Sequence, residues 1–243
     1  MGKNLESPYI GGIPNWDALY RARGDEVSET RPIFTGDVFA GVNLPGSTGL
    51  VKARTIIILQ HPCSMRTNGV DLAWQVLAAE VTKRKEIMES EWTNGYFNLM
   101  PLPALQPDIK SQARHQAANF DDLYLVKPEL LVNRIASLSP FGVNLLLQRW
   151  VHFSARVIVP TQIFQEQTVA FYEEADLIED WCDEMNITDV KDQTRACLQW
   201  LRGVHNGTTR QELLKNSQTH STIRREMRAE LKRRNEDMDQ SSY

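Results

Sequence analysis

The chain lacks the features that mark membrane and secreted proteins. No apolar run approaches the ~18 residues of a membrane span. The opening stretch MGKNLESPYIGGIPNW has no cationic start ahead of an apolar segment, so no secretory signal is expected. Cysteine is scarce. Cys63, Cys182 and Cys197 are far apart and odd in number, which argues against a disulfide framework and leads us to expect a cytoplasmic location. A surplus of positive charge is missing too: the formal net charge of the 243 residues is −4, so the chain as a whole is not a basic nucleic-acid binder. The glycine loop at 43–49 (NLPGSTG) lacks the Lys-Ser/Thr step of a nucleotide-binding loop, and there is no G-x-S-x-G elbow. His61 and Cys63 lie close together, but no second His/Cys pair follows at ligand spacing, so no metal and no cofactor are expected. Cys63 is either a small buried residue or half of a Cys–His nucleophile pair. The N-x-[ST] triplets at Asn186 and Asn206 are read as chance.

What is present is unevenly distributed. Residues 33–157 carry a net +2, residues 158–222 a net −6, and the flanking segments almost none. The segment 1–32 reads as a polar arm with Gly and Pro and no sustained period, apart from a short helix over 16–22. Strand signals follow: 38–42, the β-branched run 55–60 (TIIILQ), the second half of 74–82, a Pro-punctuated edge segment over 97–105, and 123–127 ending at Pro128. The period then turns helical. Ser139-Pro140 caps and opens one helix, 161–184 forms a second, and Thr188-Asp189 caps a third that Gly203 ends. Thr209 and Glu212 have capping-box spacing. A charged last helix over 223–234 reads as solvated, with a frayed tail over 236–243. About five strands followed by helices make an α+β chain, with an N-terminal arm (1–32), a small antiparallel barrel or sheet with its closing helix (33–157) and a helical extension (158–243).

The order of pieces over 33–157 carries further information. Gly36-Asp37-Val38 opens the first strand, a loop follows, and Lys52-Ala53-Arg54 leads into the aliphatic run. A later strand ends in Thr82, and the region closes on Arg134-Ile-Ala-Ser-Leu-Ser139 ahead of a helix. This order resembles the MazF/PemK family of toxin endoribonucleases over about half the chain. The resemblance implies an SH3-like barrel, dimeric, cleaving single-stranded RNA without a metal, with an antitoxin-like protein as a further partner. By position Arg54 and Thr82 match the family's catalytic Arg and Thr. An Arg fork neutralises charge developing on a phosphate under attack, and a Thr hydroxyl orients it. Lys52, Lys83, Arg84 and Lys85 would then contact the RNA backbone, with Trp92, Tyr96 or Phe97 stacking on bases. The polar loop of His61, Ser64 and Arg66 is either part of the site or a solvated turn. The chain departs from the family pattern at Thr55, where Pro is usual, and at Lys83, where Ser is common. These departures and the long extension support an alternative: a non-catalytic regulatory protein that keeps the barrel and uses its helices for partners. The acidic stretch 173–184, with seven carboxylates, suggests either a built-in mask over a basic groove or an ordinary acidic helix face.

Overall fold

In chain order the elements begin with a two-residue hairpin, β1 (Tyr9–Ile10) and β2 (Ile13–Pro14). There follow β3 (Tyr20–Arg23), β4 (Asp37–Pro45), β5 (Val51–Ile58), α1 (Pro62–Met65), β6 (Val76–Lys83), α2 (Glu89–Asn94), β7 (Leu99–Pro103), β8 (His115–Val126) and β9 (Arg134–Leu138). The remainder is α3 (Pro140–Ala155), α4 (Thr161–Glu184), α5 (Val190–Arg202), a small hairpin of β10 (Val204–His205) and β11 (Thr208–Thr209), α6 (Arg210–Leu213) and α7 (His220–Ser241). This computed structural model describes residues 4–46, 49–67, 70–106, 115–185, 189–205 and 207–241. The triplet Asn186–Thr188, Asn206 of the second triplet, and part of the 43–49 loop lie outside the described residues. The chain divides into two compact units. Unit 1 takes Met1–Val27, Ile33–Arg66 and Leu72–Glu166; unit 2 takes Ser28–Pro32, Thr67–Asp71 and Gln167–Tyr243, so the boundary falls within α4.

Unit 1 is built on one antiparallel sheet of seven strands, ordered β3-β9-β4-β5-β6-β8-β7. The sequence leads one to expect about five. The two extra strands are β3, four residues with two arginines, and β9, whose RIASL reads as a step into the helix. Neither run is long or apolar enough to signal a strand alone. The helix expected over 16–22 is a short 3-10 turn, Asp17–Leu19, running straight into β3. The sheet curls until its two edges meet through side chains. The Tyr20 hydroxyl donates to the Pro103 carbonyl at 2.9 Å, and Arg23 Nη1 donates to the Ala104 carbonyl at 2.8 Å. Pro101 and Pro103 offer no N–H for a backbone ladder, which suits β7 to an edge.

The first and last pieces of the 33–157 pattern meet in this sheet. Gly36 sits at φ 86°, where an added Cβ would lie 2.9 Å from Leu138 Cβ, so glycine is required. Buried Asp37 accepts from the Phe34 N–H at 2.8 Å and lies 3.3 Å from Arg134 Nε, joining β4 to β9. One face of the sheet carries a core of Phe39, Ile56, Ile58, Val76 and Val126. Ser139 caps α3 by accepting from the Gly142 N–H at 3.1 Å. Gly142 lets α3 approach the chain so closely that an added Cβ would sit 2.2 Å from the Leu19 carbonyl oxygen. Backbone cannot yield there as a flexible side chain would. Gly142→Ala is therefore expected to destabilise unit 1 by about 3 kcal/mol. Thermal unfolding checks this, and an unchanged midpoint would show that α3 can shift.

Unit 2 is helical. Asp189 caps α5 through the N–H groups of Lys191 and Asp192, and Thr209 with Glu212 forms the expected capping box. The last helix differs from the solvated rod read from its charges. It extends to Ser241, into the segment expected to fray, and buries Ile223, Met227 and Leu231 as one stripe against Leu177, Trp181 and Leu198. Four carboxylates of the acidic stretch are paired within its own unit. Arg224 bonds Glu173 (2.8 Å) and Asp180 (2.6 Å), and buried Arg31 pairs with Asp176 and with Glu179 (2.9 Å). Both cations belong to unit 2.

Among the described residues no helix is long and apolar enough to cross a membrane, and no group of three or more His, Cys, Asp or Glu is placed to hold a metal.

Candidate functional site

Strand alternation sorts the candidate residues onto faces. In β5, Lys52 and Arg54 share a face with Ile56 and Ile58; in β6, Glu80 and Thr82 share one with Val76 and Ala78. The β5–β6 register pairs Ile56 with Glu80 and Thr55 with Val81, and its next step sets Arg54 opposite Thr82. The two residues matched to catalytic positions are thus brought to one face on adjacent strands. Arg54 also lies inside its strand, because β5 begins at Val51 rather than at 55.

Both groups are already engaged or closed off. Arg54 Nη1 forms an ion pair with Glu80, and the guanidinium lies over the Tyr124 ring with 5.4 Å to its centroid. The Tyr124 hydroxyl donates to the same Glu80 oxygen at 3.1 Å. Burial and the adjacent Glu80 carboxylate push the Tyr124 phenol up, which keeps its proton in place to be donated. Gly46 leaves room for the guanidinium, since a Cβ there would come within 2.9 Å of Arg54 Nη2. Arg54 therefore bridges β5, β6 and β8. The Thr82 hydroxyl oxygen is buried and has no hydrogen-bond partner among the described residues. Glu80 and Tyr124 were not singled out from the sequence. The available signal was a lone carboxylate inside the apolar run AAEVT, one strand away from an arginine.

Lys83 points to the opposite face from Thr82 and starts a different feature. An open cleft of about 1010 Å³ is lined by Lys83, Arg84, Lys85, Glu86, Tyr96, Asn98 and His115. The ladder holds its floor, as the Arg84 N–H donates to the His115 carbonyl at 2.9 Å. His115 Nε2 lies 3.9 Å from Glu86. Tyr96 is half exposed and takes a left-handed backbone conformation, φ 45°, rare for a non-glycine residue. Its carbonyl explains how that conformation is held. Arg149, fully buried on α3, donates to the Tyr96 carbonyl (2.8 Å) and also to those of Trp92 (2.6 Å), Gly95 (3.3 Å) and Leu99 (2.6 Å). Burial pulls the Arg149 guanidinium down to about 10, still well above neutrality, so it remains a cation.

The other candidates stand apart from this cleft. Lys52 is exposed on β5 opposite Leu44. Arg66 donates to the Ile33 carbonyl at 3.0 Å. His61 caps α1, with Nδ1 accepting from the Cys63 N–H at 3.3 Å and 2.9 Å from the Cys63 sulfur. Burial lowers its pKa, which favours the neutral ring. Cys63 is exposed rather than buried. Of the three aromatics proposed to stack, Trp92 is fully buried and Phe97 packs edge-on against His152, with ring centroids 4.8 Å apart. Only Tyr96 reaches the cleft. His115, Asn98 and Arg149 escaped the sequence reading. For Arg149 the signal was a cation in register with the buried face of Leu145 and Leu146. For His115 there was none.

Comparison of the chain with models of known families finds no match, and comparison with curated proteins finds none either.

Proposed function

We propose that unit 1 is a MazF/PemK-like, SH3-type barrel that binds single-stranded RNA without cutting it. The observation that carries this is the cleft, where three consecutive cations, Lys83, Arg84 and Lys85, face an exposed aromatic ring, Tyr96. Cations following a backbone beside a stacking platform suit an unpaired strand, whose bases are free to turn onto an aromatic face. The resemblance supplies the choice of RNA. The other face supports the absence of cleavage. A catalytic Arg must meet phosphate, and Arg54 is held by Glu80 and Tyr124. A catalytic hydroxyl must be reachable, and that of Thr82 is buried.

A fluorescent single-stranded RNA titrated at several salt concentrations tests both halves. Each phosphate contact on a single strand contributes about −0.7 to the slope of log affinity against log salt. Replacing Lys83, Arg84 and Lys85 together by Ala is expected to reduce that slope by about 2 and to weaken binding by at least tenfold near physiological salt. The RNA is expected to stay intact through long incubation in EDTA. Salt-independent binding, or an unchanged triple variant, would remove the cleft from the reading. The placement of Arg54 opposite Thr82 favours the enzymatic reading instead, and cleavage that disappears in Arg54→Ala would establish it.

A further inference from the structure

The outer side of α7 carries charge that the packing of its inner side does not use. Ile223, Met227 and Leu231 face the core of unit 2. At about 100° per residue, Arg225, Arg228 and Lys232 fall within about 60° of one another on the other side of the helix. Arg225 and Arg228 are exposed, and so is Lys232, its side chain by 80%. At a rise of about 1.5 Å per residue the stripe is about 10 Å long, enough to follow a chain of charges rather than to hold a single ion.

The other arginines of this helix are spoken for. Arg224 bonds Glu173 and Asp180, Arg233 bonds Glu230 and Asp237, and Arg234 bonds Glu230 and lies over the Trp181 ring. Glu226 is taken by Arg210. Among the described residues Arg225 and Arg228 have no ion pair. Lys232 has Glu236 at 3.9 Å, one turn further toward the C-terminus. Three neighbouring cations are thus left with one carboxylate at the limit of contact, at one end of their row.

We propose that this stripe binds the phosphate backbone of a nucleic acid. A polyanion asks only for spaced positive charge, and an Arg fork matches the oxygens of a phosphate. Other anionic partners require what the stripe lacks. A helix lying in a membrane surface sets large apolar residues beside its cations. Here every apolar residue larger than alanine from 221 to 235 faces the core. A protein partner needs an anchor that becomes buried at the centre of the interface, and this side of α7 offers only small residues, Ser221 and Ala229. The surface belongs to unit 2, outside the region of family resemblance, and does not rest on the reading of the cleft.

Fluorescence anisotropy of the full chain with a labelled single-stranded RNA, over a salt series, tests the proposal. The wild type is compared with a variant carrying Arg225→Gln, Arg228→Gln and Lys232→Gln. Both are also made with Lys83, Arg84 and Lys85 replaced by Ala, which takes the cleft out of the measurement. In either background the glutamines are expected to reduce the slope of log affinity against log salt by about 2 and to weaken binding about tenfold near physiological salt. Arg225→Lys with Arg228→Lys keeps the charge and is expected to keep the slope. Glutamine is a good helix former and the positions are exposed, so the thermal midpoint is expected to stay at the wild-type value. An unchanged slope in the glutamine variant would overturn the proposal. So would equal competition by poly-L-glutamate of matched charge, which would make the partner an acidic protein. Flotation of the wild type, but not the variant, with anionic phospholipid vesicles would make it a membrane and overturn the proposal as well. Loss of binding in the glutamine variant alone, with the cleft variant unaffected, would remove the cleft reading and leave this one standing.

Discussion

Arg149→Met is expected to lower the stability of unit 1 by about 3–5 kcal/mol and its melting temperature by roughly 6–20 °C. The cation itself contributes little through charge pairing, because the guanidinium bonds backbone carbonyls and lies over the Trp92 ring. What the substitution removes is the shared donor of four backbone oxygens, those of Trp92, Gly95, Tyr96 and Leu99. An unsatisfied buried acceptor costs on the order of 1–3 kcal/mol, and a methionine of similar bulk returns only packing. Arg149→Lys is expected to recover part of the loss, since an ammonium keeps the charge but lacks the planar fork that reaches several carbonyls at once. Trp92 lies under the guanidinium, 5.5 Å from the ring centroid, so tryptophan fluorescence follows the change directly. A midpoint within 2 °C of wild type would mean that the 92–99 loop holds itself. On the function proposed for the cleft, the same variant is expected to weaken RNA binding, because Tyr96 would be released from its left-handed conformation.

Arg31→Met should have a comparable effect on unit 2, about 3–4 kcal/mol. Arg31 is buried, lies over the Tyr172 ring at 4.9 Å and bonds the carboxylates of Asp176 and Glu179. Asp176 also has Arg224 at 3.7 Å, and Glu179 is itself buried. Neutralising that carboxylate separates lost charge pairing from lost packing. The double variant Arg31→Met with Glu179→Gln is expected to regain at least ~1 kcal/mol over Arg31→Met alone. Urea unfolding followed through the Trp181 and Trp200 signal measures this. Strict additivity of the two substitutions would sink the account.

The sequence was most readable where local chemistry decides structure. Ser139-Pro140, Asp189 and the Thr209–Glu212 box mark helix starts, because caps satisfy donors within one turn. The run around Ile56–Ile58 is buried on both faces and reads as a strand by composition. Legibility failed where a partner far along the chain decides. β3 and β9 are strands because each finds the other, not because YRAR or RIASL prefers to be extended. The last helix looked solvated because Ile223, Met227 and Leu231 are outnumbered by cations, although their spacing already formed a stripe. In the candidate site, Arg54 and Thr82 stand opposite each other on adjacent strands. That Glu80 would occupy the guanidinium required the register, which a single sequence does not contain. The cleft drew on both kinds of information: Lys83-Arg84-Lys85 is plain in the sequence, whereas His115 and the left-handed Tyr96 arrive through folding.

The position of β3 bears on biosynthesis. It is made early, yet its neighbour in the sheet, β9, follows more than a hundred residues later. At roughly 5–20 residues per second, ribosomal synthesis leaves β3 without that neighbour for about 5–20 s. Two arginines in four residues keep the waiting segment hydrated. During that interval β4 to β8 can assemble in sequence, each against a neighbour already or soon made, while the seam at Pro103 and Ala104 can already be reached by Tyr20 and Arg23. A chain stalled before Arg134 would hold the central ladder with β4 uncovered, and the emergence of β9 is the step that commits the N-terminal arm to the sheet.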